Sequence, residues 1–187
     1  LDWDIAVSPD RSAYDVVSIN NFEAGRRLAD YLLRTGARRI RFVTWRNCAN
    51  SVRDRVSGAR SLLPDGAKTE LALDVTSPSA VRRAFAGRNA PDAVICGNDT
   101  NAARLLAALR AIGKRVPDDV QVVGFDDVQH ASLVEPTLTT VHQPCEDLAR
   151  QAFRSLLDRM ENASLAPREC LLDAPLVVRR STKGVLR

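Results

Sequence analysis

Polar side chains gather at four points along the chain, each where an apolar run ends: Trp45-Arg46-Asn47, Asp74, Asn98-Asp99 and Asp126-Asp127. An amide donates and accepts hydrogen bonds, a carboxylate accepts several, and Arg presents a charged fork of donors. Together such groups suit a small ligand rich in hydroxyls or amides. Taken singly, Asn98, Asp99 and Asp126 also read as helix N-caps or turn formers. Their recurrence after successive strands favours a cleft, because ligands of an open parallel sheet bind beyond the carboxyl ends of its strands.

Other chemistries lack support. The chain has no G-x-G-x-x-G, no G-x-S-x-G and no P-loop, and Ser8, Ser57 and Ser132 have no partner histidine by any motif. Cys48, Cys96, Cys145 and Cys170 are scattered without a C-x-x-C, and His130 and His142 are the sole histidines. That spacing supports neither zinc nor redox chemistry, and free thiols fit a reducing, cytoplasmic setting. The expectation is therefore a non-enzyme with no cofactor and no metal.

The elements that must place these groups alternate. Asp15 to Ile19 reads as a strand and Asn20 as the cap of a helix, with Glu23 at the reciprocal capping-box position and Gly36 at its end. Strands at about 40–45, 70–73, 93–97 and 120–125 alternate with helices at about 51–63, 79–88 and 100–112. Repeated βαβ units predict an α/β fold: a doubly wound, mostly parallel sheet with helices on both faces, strand 16–19 being part of its body. After Asp127 the rhythm changes to a strand at 138–141, a long helix at about 146–160 and a last strand at 176–178.

Composition adds bounds. With 187 residues, 45% hydrophobic and only 5% aromatic, the core must be built from Ala, Val, Leu and Ile. The net charge of +4 is dispersed in pairs such as Arg26-Arg27 and Arg179-Arg180, so it reads as solvated helix faces rather than a nucleic-acid surface. No run approaches the ~18 apolar residues of a membrane helix.

The stretch "RVPDDVQVVGFDDVQHASLVEPTLTTVHQP" (115–144) closely resembles the effector domains of the lactose-repressor/galactose-repressor (LacI/GalR) family of bacterial transcription regulators. "EAGRRLADYLLRTGARRIRFV" (23–43), "VRDRVSGARSLL" (52–63), "PDAVICGNDTNAARLLAALRAIGKRVP" (91–117) and "APLVVRRST" (174–182) fit the same family in the same order. The resemblance implies a periplasmic-binding-protein-like fold, two subdomains holding a small effector between them. It matches Arg55 to the arginine that clamps the effector, Asn98 to an effector-contacting position, and Asp126 to the aspartate that accepts from ligand hydroxyls or amines. Where family members often carry a stacking aromatic this chain has Val75, and where they carry a small residue it has Trp45, a candidate aromatic platform.

The resemblance further implies a ligand-sensing, dimerising region of a regulator, a repressor by expectation, whose effector is sugar-like or nucleobase-like. A solute-binding protein of a sugar uptake system is the rival reading on the same fold. The C-terminal subdomain is expected at about 18–142 and 170–182, with remnants of the N-terminal one at about 1–17 and 143–165. On this reading the helix-turn-helix that binds operator DNA is absent from the chain. The exposed remnants, Leu1, Trp3, Ile5 and Val7 with helix 146–160, then predict pairing between copies.

Overall fold

The computed structural model describes residues 14–45, 48–64 and 69–184. In chain order its elements are β1 (Val16–Ile19), α1 (Asn21–Arg34), β2 (Ile40–Thr44), α2 (Asn50–Arg60), β3 (Glu70–Ala72), α3 (Pro78–Ala84) and β4 (Ala93–Cys96). There follow α4 (Asp99–Ala111), β5 (Gln121–Asp126), a 3₁₀ turn (Gln129–Ser132), β6 (Thr139–His142), α5 (Cys145–Glu161), β7 (Glu169–Leu172) and β8 (Leu176–Val177).

The main sheet runs β3-β2-β4-β5-β6-β8, parallel through β6 and antiparallel at β8. Both faces are covered. Ile95 and Val123 join Leu28 of α1 and Val56 of α2 in one core. Val94 and Val122, their neighbours in sequence, join Val81 of α3 and Leu105 of α4 in the other. Successive side chains of a strand point to opposite faces, so a central strand between two helix layers must be apolar throughout. All four residues of β4 are buried. At ~1.5–3 kcal/mol per large buried side chain, these two layers dominate the stability.

The local signals at α1 are met in part. Asn20 Oδ1 accepts from the Glu23 N–H at 3.0 Å, and Gly36 takes the left-handed conformation at φ 88°. The reciprocal half of the capping box is replaced. The Asn20 N–H donates to the Leu172 carbonyl, and Glu23 pairs with Arg26 at 3.0 Å.

One expectation about the sheet fails. β1 is not in its body but pairs in parallel with β7, Val16 opposite Glu169 and Ile19 opposite Leu172, in a separate two-stranded sheet. β2 already has β3 on one side and β4 on the other, so no place beside it remains. α5 packs Leu148 against the first core, yet Phe153, Leu156 and Met160 on it are exposed, Met160 by 74%. The apolar run from Leu1 to Val7 lies outside the described residues.

An ion cluster ties α5 to this small sheet. Asp15 accepts from Arg159 Nη2 at 2.8 Å and from the Arg168 N–H at 2.8 Å, while Arg168 Nη1 meets Asp158 at 2.7 Å. The Arg159 hydrogen bond, then the Arg168 backbone, hold the Asp15 carboxyl well below the usual carboxylate range. A lowered folded pKa means the stabilisation is present above the ordinary aspartate value of about 3.9 and is lost as pH falls toward the folded value. Asp15→Asn is therefore expected to melt below the parent at pH 7, with the gap narrowing on acidification below about pH 4. Thermal melts from pH 7 to pH 3 check it; a gap independent of pH would contradict the assignment.

Candidate effector site

The carboxyl ends of the parallel strands converge on one edge of the main sheet, and α2 and α4 start there. Asn98 caps α4, its Oδ1 accepting from the Asn101 N–H at 2.9 Å. The same residue lines a cleft of about 600 Å³ together with Thr44, Trp45, Asp74, Asn101 and Arg104. Capping and facing the cleft are thus not exclusive. Val75 lines it as well, and Trp45 stands half-exposed against Gly97. A Cβ at position 97 would come within 2.9 Å of the Trp45 ring, so glycine there lets the indole lie down on the loop.

Arg55 reaches the edge from the middle of α2 and is 4% exposed. Its Nε donates to Asn21 Oδ1 at 2.8 Å and its Nη1 to the Gly97 carbonyl at 2.8 Å. Its guanidinium lies 4.3 Å from the centroid of the Phe125 ring, a cation–π contact in a desolvated setting. Nη1 is also 3.9 Å from Asp126 Oδ1. Two glycines make this reach possible. A Cβ on Gly25 would sit 2.0 Å from the Arg55 carbonyl oxygen, and one on Gly58 1.9 Å from that of Phe22. α1 and α2 therefore touch backbone to backbone in both directions.

Asp126, the last residue of β5, and Asp127 just after it have positive φ, 103° and 56°. Non-glycine residues rarely adopt such backbone, and where they do the surroundings must hold it. The Asp127 side chain is held by Arg179 and His142, and the chain just beyond it by Asp99. Fully buried, Asp99 accepts from Thr140 Oγ1 at 2.6 Å and from the Val128 N–H at 3.1 Å. Burial pushes its carboxyl above the usual range, against the lowering of these hydrogen bonds. Gly124 leaves room for it, since a Cβ there would lie 2.2 Å from Asp99 Oδ1.

The four groups singled out from sequence thus separate. The structure brings Arg55 and Asp126 together, sets Trp45 and Asn98 in one cleft, and joins the pairs through Gly97. Of the three carboxylates grouped with them, two turn elsewhere. Asp99 faces the interior, and Asp127 binds Arg179 Nη2 at 2.7 Å and His142 Nδ1 at 3.1 Å. Asp74 lines the cleft but accepts from the Thr76 N–H and Oγ1, which lower its pKa. Arg46 and Asn47 lie outside the described residues. Sequence reasoning missed Asn21, Gly25, Gly58 and Phe125. A glycine inside each of two helical patterns was the available signal, since such a glycine usually answers to packing.

Among the described residues no three His, Cys, Asp or Glu side chains converge as a metal site, and no helix is long and apolar enough to cross a membrane. All four cysteines are free, and burial raises the Cys96 thiol far above its ordinary value.

Residues 29–182 match the family model described as a periplasmic binding protein-like domain. The HTH-type transcriptional repressor PurR of Vibrio vulnificus is 28% identical over 99% of this chain and 57% of its own length. The HTH-type transcriptional regulator CelR of Thermobifida fusca is 35% identical over 88% and 51% respectively. A solved transcriptional regulator CelR–cellobiose complex superposes with a TM-score of 0.79 at 30% identity, over 92% of this chain and 55% of that one. The chain spans about half the length of the curated relatives it matches. These relatives are regulators rather than uptake proteins. With the parallel sheet, its covered faces and the matched residues in view, the chain belongs to the periplasmic binding protein-like family, as the effector-binding domain of a LacI-family transcriptional regulator.

Proposed function

We propose that Arg55, Asp126, Asn98 and Trp45 form one wall of a site for a small polar effector, a sugar or a related metabolite. The observation that carries this reading is the asymmetry of the Arg55–Asp126 pair. The arginine side chain is 4% exposed and the carboxylate 33%, so the charge is fixed inside while the acceptor faces out. A forked cation behind an outward carboxylate selects hydroxyl or amine hydrogens. Trp45 supplies a flat apolar face for a ring, taking over from the aromatic absent at Val75. The cellobiose of the CelR complex supports the sugar class, and the name of the PurR relative supports a repressing role.

The rest of the protein's activity follows on this reading. The main sheet, within the expected 18–142 and 170–182, makes the C-terminal subdomain, while the β1–β7 pair groups with α5, within the expected 143–165, on the N-terminal side. Operator DNA is bound by a helix-turn-helix outside this chain, the functional unit is a homodimer, and the protein works in the cytoplasm. A dispersed charge of +4 gives at most weak, salt-sensitive phosphate contacts.

A thermal-shift screen of sugars, nucleosides and purines on the full-length protein tests the effector. A ligand at a hundredfold its Kd stabilises by about 2.7 kcal/mol, enough for a clear rise in melting temperature. The expected result is a rise with a sugar that disappears in Asp126→Ala. A rise that persists in that variant would move the site elsewhere.

A further inference from the structure

We propose that Asn21 is the positioning residue of the effector arginine and ties its guanidinium to the small β1–β7 sheet. The proposal rests on the effector reading of Arg55. Asn21 is the first residue of α1, two residues beyond the end of β1, and is buried. Its Oδ1 accepts from Arg55 Nε at 2.8 Å, while its Nδ2 donates to Ser18 Oγ and to the Ile19 carbonyl, each at 3.3 Å.

The amide can serve in only one orientation. Turned over, it would set an N–H against the Nε–H of Arg55 and an oxygen against the Ile19 carbonyl. Ser18 and Ile19 are residues of β1, so the acceptor that Arg55 uses is oriented from the small sheet.

The grip is double. Gly25 lies one helical turn beyond Asn21 and receives the Arg55 carbonyl at a distance that no Cβ would permit. α1 thus holds the arginine by its main chain and by its side chain. With Nε occupied and Nη1 on the Gly97 carbonyl, the fork is aimed along the sheet edge toward Asp126. A long side chain fixed beforehand loses less freedom when a ligand arrives, which raises affinity without a new contact. A movement of β1 relative to the main sheet would carry Ser18, Ile19 and Asn21 with it and swing the guanidinium. Effector occupancy and the placement of the small sheet thereby become linked through one amide.

The side-chain Nε–H resonance of Arg55 reads the positioning directly in ¹⁵N-labelled full-length protein, with Arg55→Lys to assign it. The Nε–H should exchange with water at least tenfold more slowly than those of exposed arginines. Asn21→Leu, similar in size but without an acceptor, should abolish that protection; Asn21→Asp, which keeps an acceptor, should retain it. Ser18→Ala, a milder change that leaves α1 intact, should reduce it severalfold. Protection that survives Asn21→Leu, or is lost equally in Asn21→Leu and Asn21→Asp, would overturn the proposal. The site reading fails separately, if Arg55→Ala leaves the stabilisation by sugars unchanged.

Discussion

Arg55→Ala should reduce effector affinity by well over tenfold. Removing a buried charged donor from the groups that a polar ligand meets typically costs about 2–5 kcal/mol in binding. Inside the protein the same change strips Asn21 Oδ1 and the Gly97 carbonyl of their Arg55 donor in the free and bound states alike, so it shows in the melting temperature of the unliganded variant rather than in affinity. The loss of affinity should appear in calorimetric titration of the full-length regulator with the sugar that gives the largest thermal shift. Arg55→Lys keeps the charge but not the fork or the Nε donor, so its affinity should fall between the two. Equal affinity in the lysine variant and the parent would show that the guanidinium geometry is unused.

The largest effect on folding is expected from Gly58→Ala. The new Cβ would lie 1.9 Å from the Phe22 carbonyl oxygen, a backbone atom that cannot rotate away. α1 and α2 must separate, and both line the same core through Leu28, Leu32, Val52 and Val56. Overpacking in such a contact costs about 1–3 kcal/mol and sometimes more, against a whole-domain stability of roughly 5–15 kcal/mol. Urea denaturation should show the midpoint falling with little change in slope. Gly184→Ala, where an added Cβ meets nothing, is the control and should be neutral. A Gly58→Ala midpoint equal to the control's would mean that the helices do not touch there.

What was legible in the sequence follows from how far each cause reaches along the chain. β4 is four apolar residues flanked by turn formers, and α1 carries its own cap at Asn20 and its own stop at Gly36, so local pattern sufficed for both. β7 was missed because Glu169–Leu172 makes a strand only by pairing with β1, about 150 residues earlier. The same long-range pairing removed β1 from the main sheet. At the site, Asn98, Asp99, Asp126 and Asp127 are alike in chemistry and placed alike after strands. What separates them is burial: Asp99 lies beneath Gly124 and Thr140, Asp127 between Arg179 and His142, and Asp126 is left facing out. Spacing carries no record of that. Nor does it record that Gly25 and Gly58 oppose each other across two helices, which is what delivers Arg55 to the edge.

The central claim is that the effector sits at the carboxyl edge of the main sheet, and a crystal structure of the full-length regulator with its stabilising sugar measures this most directly. The expected complex has sugar hydroxyls within hydrogen-bonding distance of the Asp126 carboxylate, the Arg55 fork and the Asn98 amide, with a ring face against Trp45. A sugar found instead in the groove of about 420 Å³ between β1 and α5, lined by Tyr14, Val17, Ala152 and Leu156, with the Arg55–Asp126 edge unoccupied, would contradict the account.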